Sequence, residues 1–288
     1  MRHNLPWFSL LLLVCLLQAC YEPTEGCLDT RATNFDLDAD EACADCCTYP
    51  QLSLRFDNVW DYGDTIVALR LDTFYLDAAN NPFRLERIRF YWSNLRLQLS
   101  NGETLRLDDS LDVAIAENGD TTMISILDDI MLADINRASR TVSLGNLVPE
   151  GMLTGLQATF GIEDPTNKTV VTSVSTSHPL AQQERLMNFG AEFGYVFAKV
   201  EYFQDTIATD TILRAINIYG SDFLRELDLN LAVPSSFVDG FDPTLVIEQD
   251  ISRWFEGINV RLEDTVALKN QFVQNLTQSL QLTELLAQ

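Results

Sequence analysis

Phe83-Arg84-Leu85-Glu86-Arg87-Ile88-Arg89-Phe90-Tyr91-Trp92-Ser93-Asn94-Leu95-Arg96-Leu97-Gln98-Leu99-Ser100 carries the clearest period-two pattern of this chain. Alternate side chains of a strand share one face, so Leu85, Ile88, Phe90, Leu95, Leu97 and Leu99 read as core-facing positions. Asn101-Gly102 follows, with Leu105 and Leu107 beyond. Asn-Gly between alternating runs is a strong hairpin signal, because both residues accept the positive φ that a tight turn needs. The alternation breaks near Ser93-Asn94, which predicts a bulge.

The same period recurs on both sides. Leu52, Leu54 and Phe56 alternate with Ser53 and Arg55. Further strands are expected at 122–127, 141–147, 153–162, 195–202, 212–219, 226–233 and 245–250, with another over 72–77. Helical patterns are rare. Residues 251–256 read as a single turn. Residues 265–286 read as a helix, since Leu268, Phe272, Leu276 and Leu280 lie four apart after the candidate cap Asp264-Thr265. Many short strands without βαβ alternation predict an all-β fold: an antiparallel two-sheet β-sandwich, immunoglobulin-like or related, with a C-terminal helix.

The N-terminus reads as an export signal. Arg2 precedes a short apolar run, Leu10 to Leu17, and Ala19 precedes Cys20. That pattern predicts cleavage after residue 19 and lipidation of Cys20, anchoring the mature chain to the outer membrane or cell surface. Residues 20–25 form the tether. Residues 26–50 form a small module holding Cys27, Cys43, Cys46 and Cys47, and residues 51–288 form the body, which has no cysteine. Export favours disulfides. Four cysteines allow three pairings, and a vicinal Cys46–Cys47 bond is strained. Cys27–Cys47 with Cys43–Cys46 is the preferred pairing, with a zinc site on Cys43-x-x-Cys46 as the rival reading. Asp36, Asp38 and Asp40 place carboxylates at alternate positions, which suits calcium. An EF-hand is excluded, because Glu41 and Cys47 stand where its loop needs glycine and glutamate.

The chain carries 19 Lys+Arg against 42 Asp+Glu. Removal of Arg2 with the signal leaves 18 against 42, a net of −24. Such a surface repels nucleic acid. No Gly-x-Ser-x-Gly elbow, phosphate loop or dinucleotide fingerprint occurs, so no enzymatic activity is expected.

Two stretches carry a family resemblance. Arg87-Ile88-Arg89-Phe90-Tyr91-Trp92-Ser93-Asn94-Leu95 resembles the "FYLSN" strand of the MbnP-like copper-binding domain family of exported bacterial proteins. Met187-Asn188-Phe189-Gly190-Ala191-Glu192-Phe193-Gly194-Tyr195-Val196-Phe197-Ala198-Lys199-Val200-Glu201 is similar to that family's methionine-plus-paired-tryptophan segment and the Gly-Tyr-x-Phe-x-Lys-x-Glu run after it. The resemblance covers about residues 51–280. It implies a lipid-anchored binding protein that handles copper or another metal, with a haem-peroxidase or metal-uptake receptor as partner. Phe189 and Ala191 stand where the paired tryptophans would be, and Ile218 where a histidine is expected. His178 is the one imidazole of the mature chain, and with Met187 it is the candidate copper ligand. The alternative is a non-catalytic interaction or scaffold lipoprotein that has lost the copper site. Residues 26–50 separately resemble a short acidic cysteine module near the start of many exported Bacteroidetes proteins.

Overall fold

The computed structural model describes residues 22–107, 109–148, 151–204, 212–262 and 265–288. The expected signal segment and Cys20 lie outside the described residues. In chain order the strands are β1 (Glu25–Gly26), β2 (Glu41–Ala42), β3 (Gln51–Asp61), β4 (Ile66–Ala68), β5 (Phe74–Leu76), β6 (Pro82–Leu99), β7 (Thr104–Arg106), β8 (Ser110–Glu117), β9 (Asp120–Leu127), β10 (Met131–Ile135), β11 (Ser139–Asn146), β12 (Met152–Phe160), β13 (Val196–Phe203), β14 (Arg214–Tyr219), β15 (Arg225–Ser236), β16 (Pro243–Asp250) and β17 (Leu280–Ala287). The helices are α1 (Ile251–Trp254) and α2 (Val266–Gln278).

Strand β6 organises the larger sheet. Its 18 residues pair with β5, β7, β10, β12 and β13, all antiparallel. That eight-stranded sheet faces a five-stranded one ordered β11-β3-β16-β17, with β4 on β3. Between them Phe56 of β3 meets Phe90 and Trp92 of β6 edge-on, at 5.4 and 5.3 Å. Each such ring contributes roughly 1.5–3 kcal/mol through burial. The Asn101-Gly102 hairpin joins β6 to β7, as the alternation predicts.

The expected bulge is present. Arg96 pairs with Gln157 and Ser93 with Thr159, so β6 carries one residue more than β12 over this interval. Asn94 adopts φ 53°, in the left-handed region that Asn tolerates. The extra residue flips the core-facing parity, from Ile88, Phe90 and Trp92 before it to Leu95, Leu97 and Leu99 after it. A second register shift lies nearby, where Glu201 opposes Arg87 but Tyr202 opposes Leu85.

Strands β4, β8 and β10 fall outside the expected ones, and two expected features turn out differently. Helix α2 stops at Gln278, and residues 280–287 form β17 on the edge of the smaller sheet, paired with β16. Ser279 marks the change: its hydroxyl donates to the Leu276 carbonyl and accepts from the Trp254 indole, while its carbonyl accepts from the Asp250 N–H. The start of the helix agrees, with the Thr265 side chain accepting from the Leu268 N–H. The second is a parallel pair, β3 with β16, where the other described pairings of the two sheets are antiparallel.

In the N-terminal module the disulfides are Cys27–Cys47 and Cys43–Cys46, the preferred pairing. Asn34 ties the module together, donating to the Cys46 carbonyl and accepting from the Thr48 N–H.

Candidate functional site

The middle of β6 is buried on both faces. Ile88, Phe90 and Trp92 point into the sandwich, and Arg89, Tyr91 and Ser93 are buried on the other side. Segment 178–195 covers that outer face. The Tyr91 hydroxyl donates to the Pro179 carbonyl at 2.9 Å, and the Tyr195 hydroxyl donates to the Leu180 carbonyl at 2.6 Å. Their rings meet edge-on at 5.5 Å. Burial pushes both phenols well above the ordinary tyrosine value, so both remain hydrogen-bond donors.

The charged residues of β6 and β13 hold this cover down. Lys199 lies directly across from Arg89, and Glu201 from Arg87. Arg89 Nη2 is 3.3 Å from Glu201 Oε2, with the two side chains 1 % and 3 % exposed. Arg89 Nη1 donates to the Glu184 carbonyl at 2.5 Å. Lys199 Nζ donates to the carbonyls of Arg185 and Leu186. Arg185 folds back to Glu201 at 3.5 Å. Arg87 pairs with Asp134 of β10 and reaches Glu184 at 3.6 Å.

Three consecutive backbone carbonyls, 184 to 186, are thus fixed by two cations on the sheet. Arg185 and Leu186 have φ of 53° and 45°, a strained conformation that surrounding contacts must impose. Burial lowers the pKa of Arg89 and of Lys199, with Glu201 opposing it in both. The Asp134 carboxylate holds Arg87 above its ordinary value.

The sequence-derived ligand candidates fall beside this clamp. His178 Nδ1 accepts from the Leu180 N–H at 3.1 Å, which places the ring proton on Nε2, 2.8 Å from Asp128 Oδ1. Met187 is 1 % exposed and belongs to the core. Phe189 and Phe193 are partly exposed and meet Tyr219 edge-on at 5.2 and 6.1 Å, with Lys269 Nζ 4.8 Å from the centre of that ring. Ile218, where a histidine was expected, is fully buried. Ala191 is exposed.

In the N-terminal module Asp36 Oδ1 accepts from the Asp38 N–H, and Asp40 Oδ2 accepts from the Thr24 N–H. Among the described residues no three His, Cys, Asp or Glu side chains converge as a metal-binding group.

The MbnP family profile matches residues 49–274. The chain belongs to the MbnP family. Among solved structures, MbnP from Methylosinus trichosporium is similar, at 16 % identity and a TM-score of 0.40, covering 71 % of this chain and 77 % of that one. No curated protein matches. In this member of the MbnP family, the two stretches that carry the resemblance are neighbours in space. They form adjacent strands, and their charged positions Arg87, Arg89, Lys199 and Glu201 build the clamp. Sequence reasoning assigned those four no role. The available signal was charge at positions flanked by Ile88, Phe90, Val200 and Tyr202, in strands apolar enough to be buried on both faces.

Proposed function

We propose that the mature chain is a lipid-anchored, non-catalytic protein of the outer membrane or cell surface, which uses an MbnP framework to bind a partner and lacks the family's copper site. His178 carries this reading. Both its ring nitrogens are engaged, one by a backbone N–H and one by a carboxylate. Copper(II) sites favour more than one imidazole, and copper(I) favours thiolates or thioethers. Here the second imidazole is absent from the mature sequence, and the Met187 thioether is packed in the core. The residues present do not fit a copper centre of that kind.

Metal handling is the second reading, supported by family membership. In that case His178 and Met187 are the ligands and a haem-peroxidase or metal-uptake receptor is the partner. Calcium at Asp36, Asp38 and Asp40 is compatible with either reading and would stiffen the N-terminal module. Titration of residues 21–288 with copper, beside His178→Ala, separates the two. The first reading expects no stoichiometric copper in either protein. One equivalent bound by the native chain and lost in the variant overturns it. Labelling with palmitate, abolished in Cys20→Ser, tests the anchor.

A further inference from the structure

Strand β9 pairs with β8 along one edge, and among the described residues no backbone segment bonds its other edge. The register fixes which groups that free edge presents. Asp109 and Asp128 stand opposite each other one step beyond the Ser110–Leu127 pair, and the Asp128 N–H donates to the Asp109 carbonyl. Bonded and unbonded pairs alternate along an antiparallel ladder. Thr122, Ile124 and Ile126 therefore bond β8, while Thr121, Met123, Ser125 and Leu127 turn their N–H and C=O groups outward. β8 agrees: Ala114, which the same count turns away from β9, accepts at its carbonyl from the Val170 N–H.

Edge strands are ordinarily shielded by a lysine, a proline or a bulge. β9 has none of these: residues 121–127 carry no charge and no proline, and the register runs unbroken from Asp120 to Leu127. Met123 and Leu127 are exposed on it. A cleft of about 280 Å³ meets the same edge, between residues 124–127 and residues 162–166. Ile124 and Ile126 point to one face of the strand, and Ser125 and Leu127 to the other. All four line the cleft because it reaches the backbone between them. We infer that the free edge of β9 binds an extended segment of a partner protein by strand addition, a segment with an apolar centre and a basic residue at each end.

Cross-strand pairing selects that occupant. Side chains directly opposite each other share a face. The centre of an added strand lies against Ile124 and Ile126, with Ile130 and Ile162 in the cleft wall, which favours apolar side chains. Its ends lie against Asp120 and Asp128, which favours lysine or arginine. A second copy is a poorer fit. Twofold pairing through all four outward residues sets Thr121 against Leu127, and hence Asp120 against Asp128. Like charges opposite each other oppose pairing, as does the strong net negative charge of each copy. The inference names the partner's chemistry for the partner-binding reading on which it rests, and the copper titration succeeds or fails independently of it.

Residues 21–288 are titrated with the blocked peptide Lys-Thr-Val-Thr-Val-Thr-Val-Thr-Lys and with its counterpart carrying glutamate at both ends. Saturable binding of the lysine peptide is expected. Amide exchange at Thr121, Met123, Ser125 and Leu127 should slow at least about tenfold in the complex, while Thr122, Ile124 and Ile126 exchange slowly with or without peptide. Ser125→Pro removes one outward N–H and no bond to β8. Met123→Lys keeps the backbone intact and adds a charge that repels the peptide. Each should weaken binding at least about tenfold. The proposal is overturned by no binding of the lysine peptide, by equal binding of the two peptides, or by equal affinity in native protein and both variants. Binding that leaves the four outward amides in fast exchange also overturns it. So does a dimer in sedimentation equilibrium that Met123→Lys disperses, which makes a second copy the occupant.

Discussion

Arg89 and Glu201 are diagonal neighbours on adjacent antiparallel strands and form an ion pair, 3.3 Å apart, from which water is almost wholly excluded. Desolvating both charges is expensive, and the surrounding carbonyl and arginine contacts offset it. Removing one partner strands the other. Glu201→Gln is expected to cost about 3–5 kcal/mol in denaturant unfolding. A loss below about 1 kcal/mol, typical of an exposed pair, would show that the network contributes little.

Leu186 tests the strain in the cover. Its φ is 45° and the residue is 55 % exposed, so only part of a leucine's burial is lost on truncation. Left-handed backbone costs a residue with a Cβ about 1–2 kcal/mol, and glycine loses about 0.5–1 kcal/mol more chain entropy. Leu186→Gly is expected to be neutral or stabilising by up to about 1 kcal/mol. A loss above 1 kcal/mol on calorimetry would assign the exposed leucine a packing role that these contacts do not provide.

His178 is expected to be structural. Its ring links the Leu180 N–H to the Asp128 carboxylate. His178→Ala removes both bonds and should lower stability by about 1–2 kcal/mol. An unchanged melting temperature would leave metal ligation as the better reason for an imidazole there.

Asp129 makes a pH prediction with a definite sign. Burial is the largest influence on it and raises its pKa, against opposing effects of the Asn94 backbone, Arg106 and Arg96. The folded state therefore holds this proton more tightly than the unfolded chain does. Its stability falls as pH rises from the ordinary carboxylate value through the folded value. Asp129→Asn removes that loss. The variant should be the more stable protein at neutral pH, with the gap closing below about pH 3.9. A variant less stable than the native chain at neutral pH would mean that the ionised carboxylate has a partner in solution.

The hairpin at Asn101-Gly102 and the bulge at Asn94 are legible because turn and parity signals are local. β17 is not, because Leu268, Phe272, Leu276 and Leu280 continue one helical period and only pairing with β16 decides against it. The parallel β3–β16 pair joins segments far apart in sequence and has no local signature. The clamp is hidden for a related reason. Period two places Arg87, Arg89, Lys199 and Glu201 on a face that reads as solvent-exposed. What buries much of that face is segment 178–195, which has no periodic pattern of its own.

Amide hydrogen exchange of residues 184–195, in native protein with and without copper and in Glu201→Gln, tests the central claim most directly. If the family motifs serve to hold this loop and not a metal, exchange there rises selectively in the variant. Copper then leaves the native pattern unchanged. Slower exchange of the loop on adding copper, with no selective effect of Glu201→Gln, would contradict the account.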